Sequence, residues 1–138
     1  MNCEVLIGVD DEVCGACLNI LEPISFWGGV SAENGRLTEP RCAAFGQSVT
    51  GKIMLIRELR GSSSGSSVLL ELVYRGAAPA AIVLNQPDAI LAIGLLAARE
   101  MGWRPPPLFR LPAADQALIR DNQRLKISPS GKVIQESV

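Results

Sequence analysis

The sequence predicts an α/β domain. Three observations carry that prediction: short extended runs separated by turn residues fill the first half, a helical period of apolar residues sets in after Ser66, and strand-like and helix-like segments then alternate. With 138 residues and 48% apolar content the chain has enough material for one good core and too little for two, so one domain over residues 1–138 is expected.

Glu4-Val5-Leu6-Ile7 is the first extended run, Cys17 to Leu21 the second, a stretch around Arg36 to Thr38 the third and Lys52 to Ile56 the fourth. Gly28-Gly29 and Asn34-Gly35 punctuate them with residues that tolerate positive φ, and Asn-Gly between short runs suits a tight hairpin. Then the period changes. Val68, Leu69, Leu72 and Val73 share one helical face, Glu71 and Arg75 form an i,i+4 pair on another, and Gly76 ends the helix. Ala80 to Leu84 is a continuous apolar run between Pro79 and Asn85-Gln86-Pro87, the pattern of a strand buried on both faces. Asp88 to Met101 reads as a second helix closed by Gly102; apolar nearly all round, with Ile90, Ile93, Leu95 and Leu96, it is expected to be deeply packed. Beyond Pro105-Pro106-Pro107 come an extended run, Leu108 to Leu111, a short helix within Pro112 to Arg120, and a last strand pair near Arg124 to Ile127 and Lys132 to Ile134.

The net charge is −1, and Lys and Arg are scattered rather than clustered, so neither nucleic acid nor an anionic membrane is expected as a partner. The longest apolar stretch, Ala89 to Ala98, contains Gly94 and falls well short of the roughly 20 residues a bilayer span needs. The opening MNCEVLIGVDDEV has no basic segment ahead of a long apolar one; nothing argues for export, and a cytoplasmic location is expected.

In a reducing compartment Cys3, Cys14, Cys17 and Cys42 are read as thiols. Cys14 and Cys17 form a C-x-x-C, but structural zinc wants four ligands, the chain has no histidine, and Cys3 and Cys42 stand at irregular spacing. A redox pair would sit where a strand enters a helix, whereas Cys17 opens an extended run. Ordinary buried or partly buried thiols, and no metal held by this chain, are expected. The absence of histidine also excludes a Ser-His-Asp or Cys-His arrangement drawn from this chain alone.

The run Gly61-Ser62-Ser63-Ser64-Gly65-Ser66-Ser67 has the composition of a flexible linker, yet it joins an extended run to the first turn of a helix, where a compact domain needs a short ordered connection. A strand, a glycine loop and a helix N-terminus together make an anion site, because the first unpaired amides and the positive end of the helix converge there. Ser62, Ser63 and Ser64 would add three hydroxyls, and the expected ligand is a carboxylate or a phosphate. The loop lacks the spacing and lysine of G-x-x-x-x-G-K-[ST] and does not match G-x-G-x-x-G, so nucleotide binding is disfavoured. On residue types alone, a serine turn that only satisfies helix amides is an equal reading, and Ser66 or Ser67 is expected to be a cap under either.

Four ordered strings carry a resemblance: Phe26-Trp27-Gly28-Gly29-Val30, Gly46-Gln47-Ser48-Val49-Thr50-Gly51-Lys52-Ile53, Arg60-Gly61-Ser62-Ser63-Ser64-Gly65-Ser66, and Ala78-Pro79-Ala80-Ala81-Ile82-Val83. Together, over roughly residues 15 to 135, the chain resembles the swivelling domain of the aconitase X family, whose members are hydro-lyases either fused or split into a large and a small subunit. The resemblance implies a swivelling β/β/α domain of the aconitase small-domain type, packed as a small subunit against a large aconitase X catalytic subunit with the active site at their junction. It places the catalytic base on Ser62, with Arg60, Gly61, Ser63 and Ser64 binding substrate. It also implies that an iron-sulfur cluster or other metal, where present, is held by cysteines of the large chain. A histidine common shortly before the Gly-Gln-Ser string is absent from Arg41-Cys42-Ala43-Ala44-Phe45, and Leu59 stands where glycine is usual before Arg60.

The substrate this implies is a small hydroxy acid: cis-3-hydroxy-L-proline first, mevalonate 5-phosphate second, since a carboxylate and a phosphate ask for similar donors. A non-catalytic, anion-binding regulatory module is the alternative of a different class. Phe26-Trp27-Gly28-Gly29 is read first as core or turn, with a wall toward the large chain as its functional reading.

Overall fold

A computed structural model describes residues 1–61 and 64–136. Their elements are β1 (Glu4–Ile7), β2 (Val13–Ile20), a distorted turn α1 (Phe26–Gly29), β3 (Ile53–Ile56), α2 (Gly65–Tyr74), β4 (Ala81–Leu84), α3 (Ala89–Glu100), β5 (Leu108–Arg110), α4 (Ala113–Gln116), β6 (Arg124–Ile127) and β7 (Val133–Gln135). The strands form one seven-stranded sheet in the order β1-β5-β4-β3-β2-β6-β7. Its centre, β2 to β5, is parallel; β1 joins β5, and β6 joins β2 and β7, antiparallel.

Alternation along the central strands sorts two cores. Met54 and Ile56 of β3 and Ile82 and Leu84 of β4 pack with Leu69, Leu72, Leu91 and Leu95 of α2 and α3. Ile53, Leu55, Ala81 and Val83 face the other way, toward Cys17, Phe109, Leu125 and Ile127. All four residues of β3 and of β4 are buried, as parallel strands covered on both faces must be. Each such Leu or Ile contributes about 1.5–3 kcal/mol relative to an exposed one.

The sheet also meets itself. Asn2, just before β1, forms an antiparallel bridge with Lys132, just before β7. Cys3 N donates to Gly131 O at 2.7 Å and Val133 N to Met1 O at 2.9 Å. The outer edges of an open sheet are thereby joined, which wraps the second core in a barrel-like layer and leaves fewer unpaired edge groups.

Several expectations need correction. The second strand begins at Val13, not Cys17, because Val13 to Ala16 pair with β6. Around Arg36 to Thr38 there is no strand, only isolated bridges from Arg36 to Ser48 and from Leu37 to Val30. The Asn34-Gly35 turn is wider than a two-residue hairpin: Ser31 N donates to Arg36 O at 2.9 Å, so the loop runs through residues 32–35, with Gly35 at φ +72. Helix α3 is not deeply packed all round. Leu91, Gly94, Leu95 and Ala98 are buried, but Ile93 is 65% and Leu96 46% exposed. Asp88 caps that helix, its carboxylate accepting from Leu91 N at 2.9 Å.

Candidate active site

The parallel strands point their carboxyl ends to one edge, where β2 leads into Leu21–Ser25, β3 into the segment from Arg57 to Ser64, and β4 into Asn85–Asp88. In sheets of this kind the crevice outside the strand carboxyl ends is where ligands bind.

The residues that flank the predicted serine loop lie on this edge; Ser62 and Ser63 themselves fall outside the described residues. The residues on either side are placed. Arg60 is exposed; its backbone N donates to Ile24 O at 2.8 Å, and its guanidinium stands 4.0 Å from the Glu58 carboxylate. Glu39 is held below the ordinary carboxylate range chiefly by its hydrogen bond from Arg41, with a smaller contribution from the charge of Arg60. Leu59 packs against the outer core and forms a parallel bridge with Ile24, which turns its neighbour Arg60 outward. Gly61 is exposed, and a Cβ there would lie 3.6 Å from Asp88 Oδ2. Ser64, half-buried, takes the cap position of α2, where Ser66 or Ser67 was expected. Ser67 instead donates its hydroxyl back to Ser64 O at 2.7 Å, and Ser66 abuts α3, where a Cβ on Gly94 would fall 2.8 Å from its Cβ. The residues flanking the serine turn are thus held by Ile24 on one side, through Arg60, and by α3 on the other, through Ser66.

Beside them, Ser25, Phe26, Arg60, Gly61, Gly65 and Asp88 line a narrow hollow. The Phe26-Trp27-Gly28-Gly29 segment divides its roles. Phe26 is 2% exposed and belongs to the core, whereas Trp27 is 60% exposed. The backbone leaves helical geometry at Trp27 (ψ 119) and Gly28 (φ +81), and Thr38 fixes the turn, its hydroxyl donating to Gly28 O and its N to Gly29 O, each at 2.9 Å.

A second, larger hollow of about 310 Å³ opens between the loops after β3 and β4, lined by Arg57, Glu58, Leu59, Asn85, Gln86 and Asp88 among others. Arg57, which lines it, is held by Gln116, and no motif in the sequence marks either residue. Gln116 is fully buried; its Nε2 donates to Ile56 O at 3.1 Å and Leu111 O at 2.9 Å, and its Oε1 accepts from Arg57 Nη1 at 2.6 Å. Burial pulls the Arg57 guanidinium below its ordinary value, with the neighbouring Cys17 sulfur opposing that.

The thiols do not converge. Cys14 and Cys17 lie on opposite faces of β2, Cys17 buried and Cys14 exposed, so the expectation of buried or partly buried thiols fails for Cys14. Burial pushes the Cys3 thiol up to about 11 and raises those of Cys17 and Cys42 as well. Among the described residues no group of three Cys, Asp or Glu stands together to hold a metal ion. Nor is any described helix long and apolar enough to cross a membrane.

A family profile described as the aconitase X swivel domain matches residues 1–135. The chain is 32% identical over 134 residues to the phosphomevalonate dehydratase small subunit of Methanopyrus kandleri, covering 96% of this chain and 95% of that one. It is 44% identical over 85 residues to a cis-3-hydroxy-L-proline dehydratase of Pseudomonas aeruginosa, covering 62% of this chain but only 15% of that much longer protein. The fold superimposes on aconitase X (holo-form) of Thermococcus kodakaraensis with a TM-score of 0.83 and 25% identity, over 99% of this chain and 97% of that one. The barrel-like sheet with its helical layer, the edge that carries the residues flanking the serine loop, and these matches agree: the chain belongs to the aconitase X swivel-domain family.

Proposed function

We propose that this chain is the small subunit of an aconitase X type hydro-lyase, with Ser62 as the base in an active site completed by a large aconitase X subunit. The observation that carries the reading is the position of the residues that bracket the serine turn: Gly61 and Gly65 line one hollow at the carboxyl edge of the parallel sheet, open to closure by a second chain.

Dehydration of a β-hydroxy acid removes a proton next to the carboxylate, the C–H electron pair forms the double bond, and the hydroxyl leaves, protonated, as water. A serine hydroxyl does this only if its alkoxide is stabilised, and cations and amide donors at a helix start supply that stabilisation. In this reading Arg60 and the first turn of α2 supply it, while Gly61, Ser63 and Ser64 hold the substrate anion. Departure of the hydroxyl calls for an acid on the partner, the role an iron-sulfur cluster or other metal held there would fill. The whole chain, 1–138, acts in this reading as one swivelling unit in the cytoplasm.

Cis-3-hydroxy-L-proline is the first substrate to test, supported by the 44% identity to the Pseudomonas aeruginosa dehydratase. Mevalonate 5-phosphate is the second, supported by the match along 95% of the Methanopyrus kandleri small subunit. The test is co-expression with a large aconitase X subunit and assay on both. Ser62→Ala is expected to assemble normally and lose about 10²–10⁴-fold in turnover, the usual contribution of a positioned proton-transfer group. Near-normal turnover in that variant would reduce the serine loop to an anion-binding regulatory element.

A further inference from the structure

We infer that Arg57, braced by Gln116, is the fixed cation that receives the anionic group of the substrate, a specificity-determining residue that rests on the dehydratase reading above. Arg57 follows β3 directly, at the carboxyl edge, and lines the larger hollow. Leu59 and Asp88 line both this hollow and the one beside Gly61 and Gly65, so the two are contiguous.

Glu58 and Asp88 line the same hollow as Arg57, but neither is in direct contact with its guanidinium. Among the described residues no carboxylate pairs with it: Glu58 stands toward Arg60 at 4.0 Å, and Asp88 spends its Oδ1 on Leu91 N at 2.9 Å. Arg110, whose Nε donates to Asn85 O at 3.0 Å at the same edge, is paired with Glu4 at 3.9 Å and supplies no counter-charge to Arg57. A partly buried guanidinium without a direct ion-pair partner gains when an anion arrives to pair with it.

Gln116 explains why the cation stays in place. Both of its donor bonds go to main-chain carbonyls at the ends of β3 and β5, which fixes its amide and leaves Oε1 aimed at Arg57. That single 2.6 Å bond occupies one of five guanidinium N–H groups and leaves the others to make the paired contacts that a carboxylate or phosphate accepts.

The experiment has two arms. In the assembled two-chain enzyme, Arg57→Gln is expected to raise KM about ten- to a hundredfold, the scale of a lost charged hydrogen bond, with kcat within a few-fold. Arg57→Lys is expected to recover part of the affinity, and Gln116→Met to raise KM although Arg57 is retained. An unchanged KM in Arg57→Gln, or a fall only in melting temperature and kcat, would overturn the inference. In the second arm the full wild-type chain is titrated with inorganic phosphate and separately with sodium chloride while the Arg57 Nε–Hε resonance is followed by NMR. A saturable shift with phosphate and none with chloride supports the inference; no shift, or the same shift with both salts, overturns it. Should the wild-type assembly turn over neither candidate substrate, the dehydratase reading fails while the phosphate titration still decides Arg57; the same titration decides if Arg57→Gln does not fold.

Discussion

Gly131 and Cys3 lie backbone to backbone at the seam where the sheet closes, with Cys3 N donating to Gly131 O at 2.7 Å. Gly131 sits at φ +94, and a Cβ there would collide with the Cys3 carbonyl oxygen. Both demands select glycine. Gly131→Ala is expected to lower unfolding free energy by about 1–3 kcal/mol, the cost of a side chain in such a backbone conformation, checked by urea denaturation. An unaffected midpoint would show that the seam adds little to the fold.

Gly94 meets the first turn of α2, at Ser66. A methyl there would stand 2.8 Å from Ser66 Cβ and 3.3 Å from its Cα. Alanine gains about 1 kcal/mol of helix propensity over glycine, against about 1–3 kcal/mol for overpacking. Gly94→Ala is therefore expected to cost 0 to about 2 kcal/mol in stability but to lower turnover of the assembled enzyme more than that, because α2 must shift to make room. A raised melting temperature with full activity would count against the tight contact.

Burial raises the thiols of Cys3, Cys17 and Cys42, Cys3 to about 11. A thiol whose folded value lies above its unfolded one keeps its proton in the native state while the unfolded chain loses it. The associated stability is present below about pH 9, near the unfolded value, and is lost as pH rises toward 11. Unfolding midpoints measured from pH 8 to 11 should fall, and Cys3→Ala should flatten the upper part of that fall. In native protein at pH 8 a thiol reagent should modify exposed Cys14 well ahead of the three buried thiols.

Trp27 is presented to solvent by a turn that Thr38 locks. An exposed indole carried on a fixed turn is suited to anchoring the partner chain, since tryptophans are enriched among the residues that dominate interfaces. Trp27→Ala is expected to leave stability within about 0.5 kcal/mol and to weaken assembly with the large subunit by about tenfold or more, read by titration calorimetry. Unchanged affinity would place Trp27 away from the interface.

What the sequence by itself determined is local or set by a repeating pattern. The continuous apolar run Ala80 to Leu84 announced a strand covered on both faces, and β4 is one. The period of Val68, Leu69, Leu72 and Val73 announced α2, and Glu71 and Arg75 form the expected pair at 2.6 Å. Burial and helix formation leave a mark at spacings of two or three to four residues, so neighbours along the chain suffice to read them.

Tertiary structure alone decided the rest. In α3 apolar residues surround the axis, so only the packing of Leu91 and Leu95 against the sheet reveals that Ile93 and Leu96 face outward. Cys14 and Cys17 look like a pair in sequence and are separated by the pleat of β2. The seam from Asn2 to Lys132 and the bond from Arg57 to Gln116 join segments far apart along the chain. Such contacts depend on how the strands are ordered in the sheet, and no local spacing encodes that order; the loop was readable where it begins and ends, but the contact between Arg57 and Gln116 came only from folding the chain.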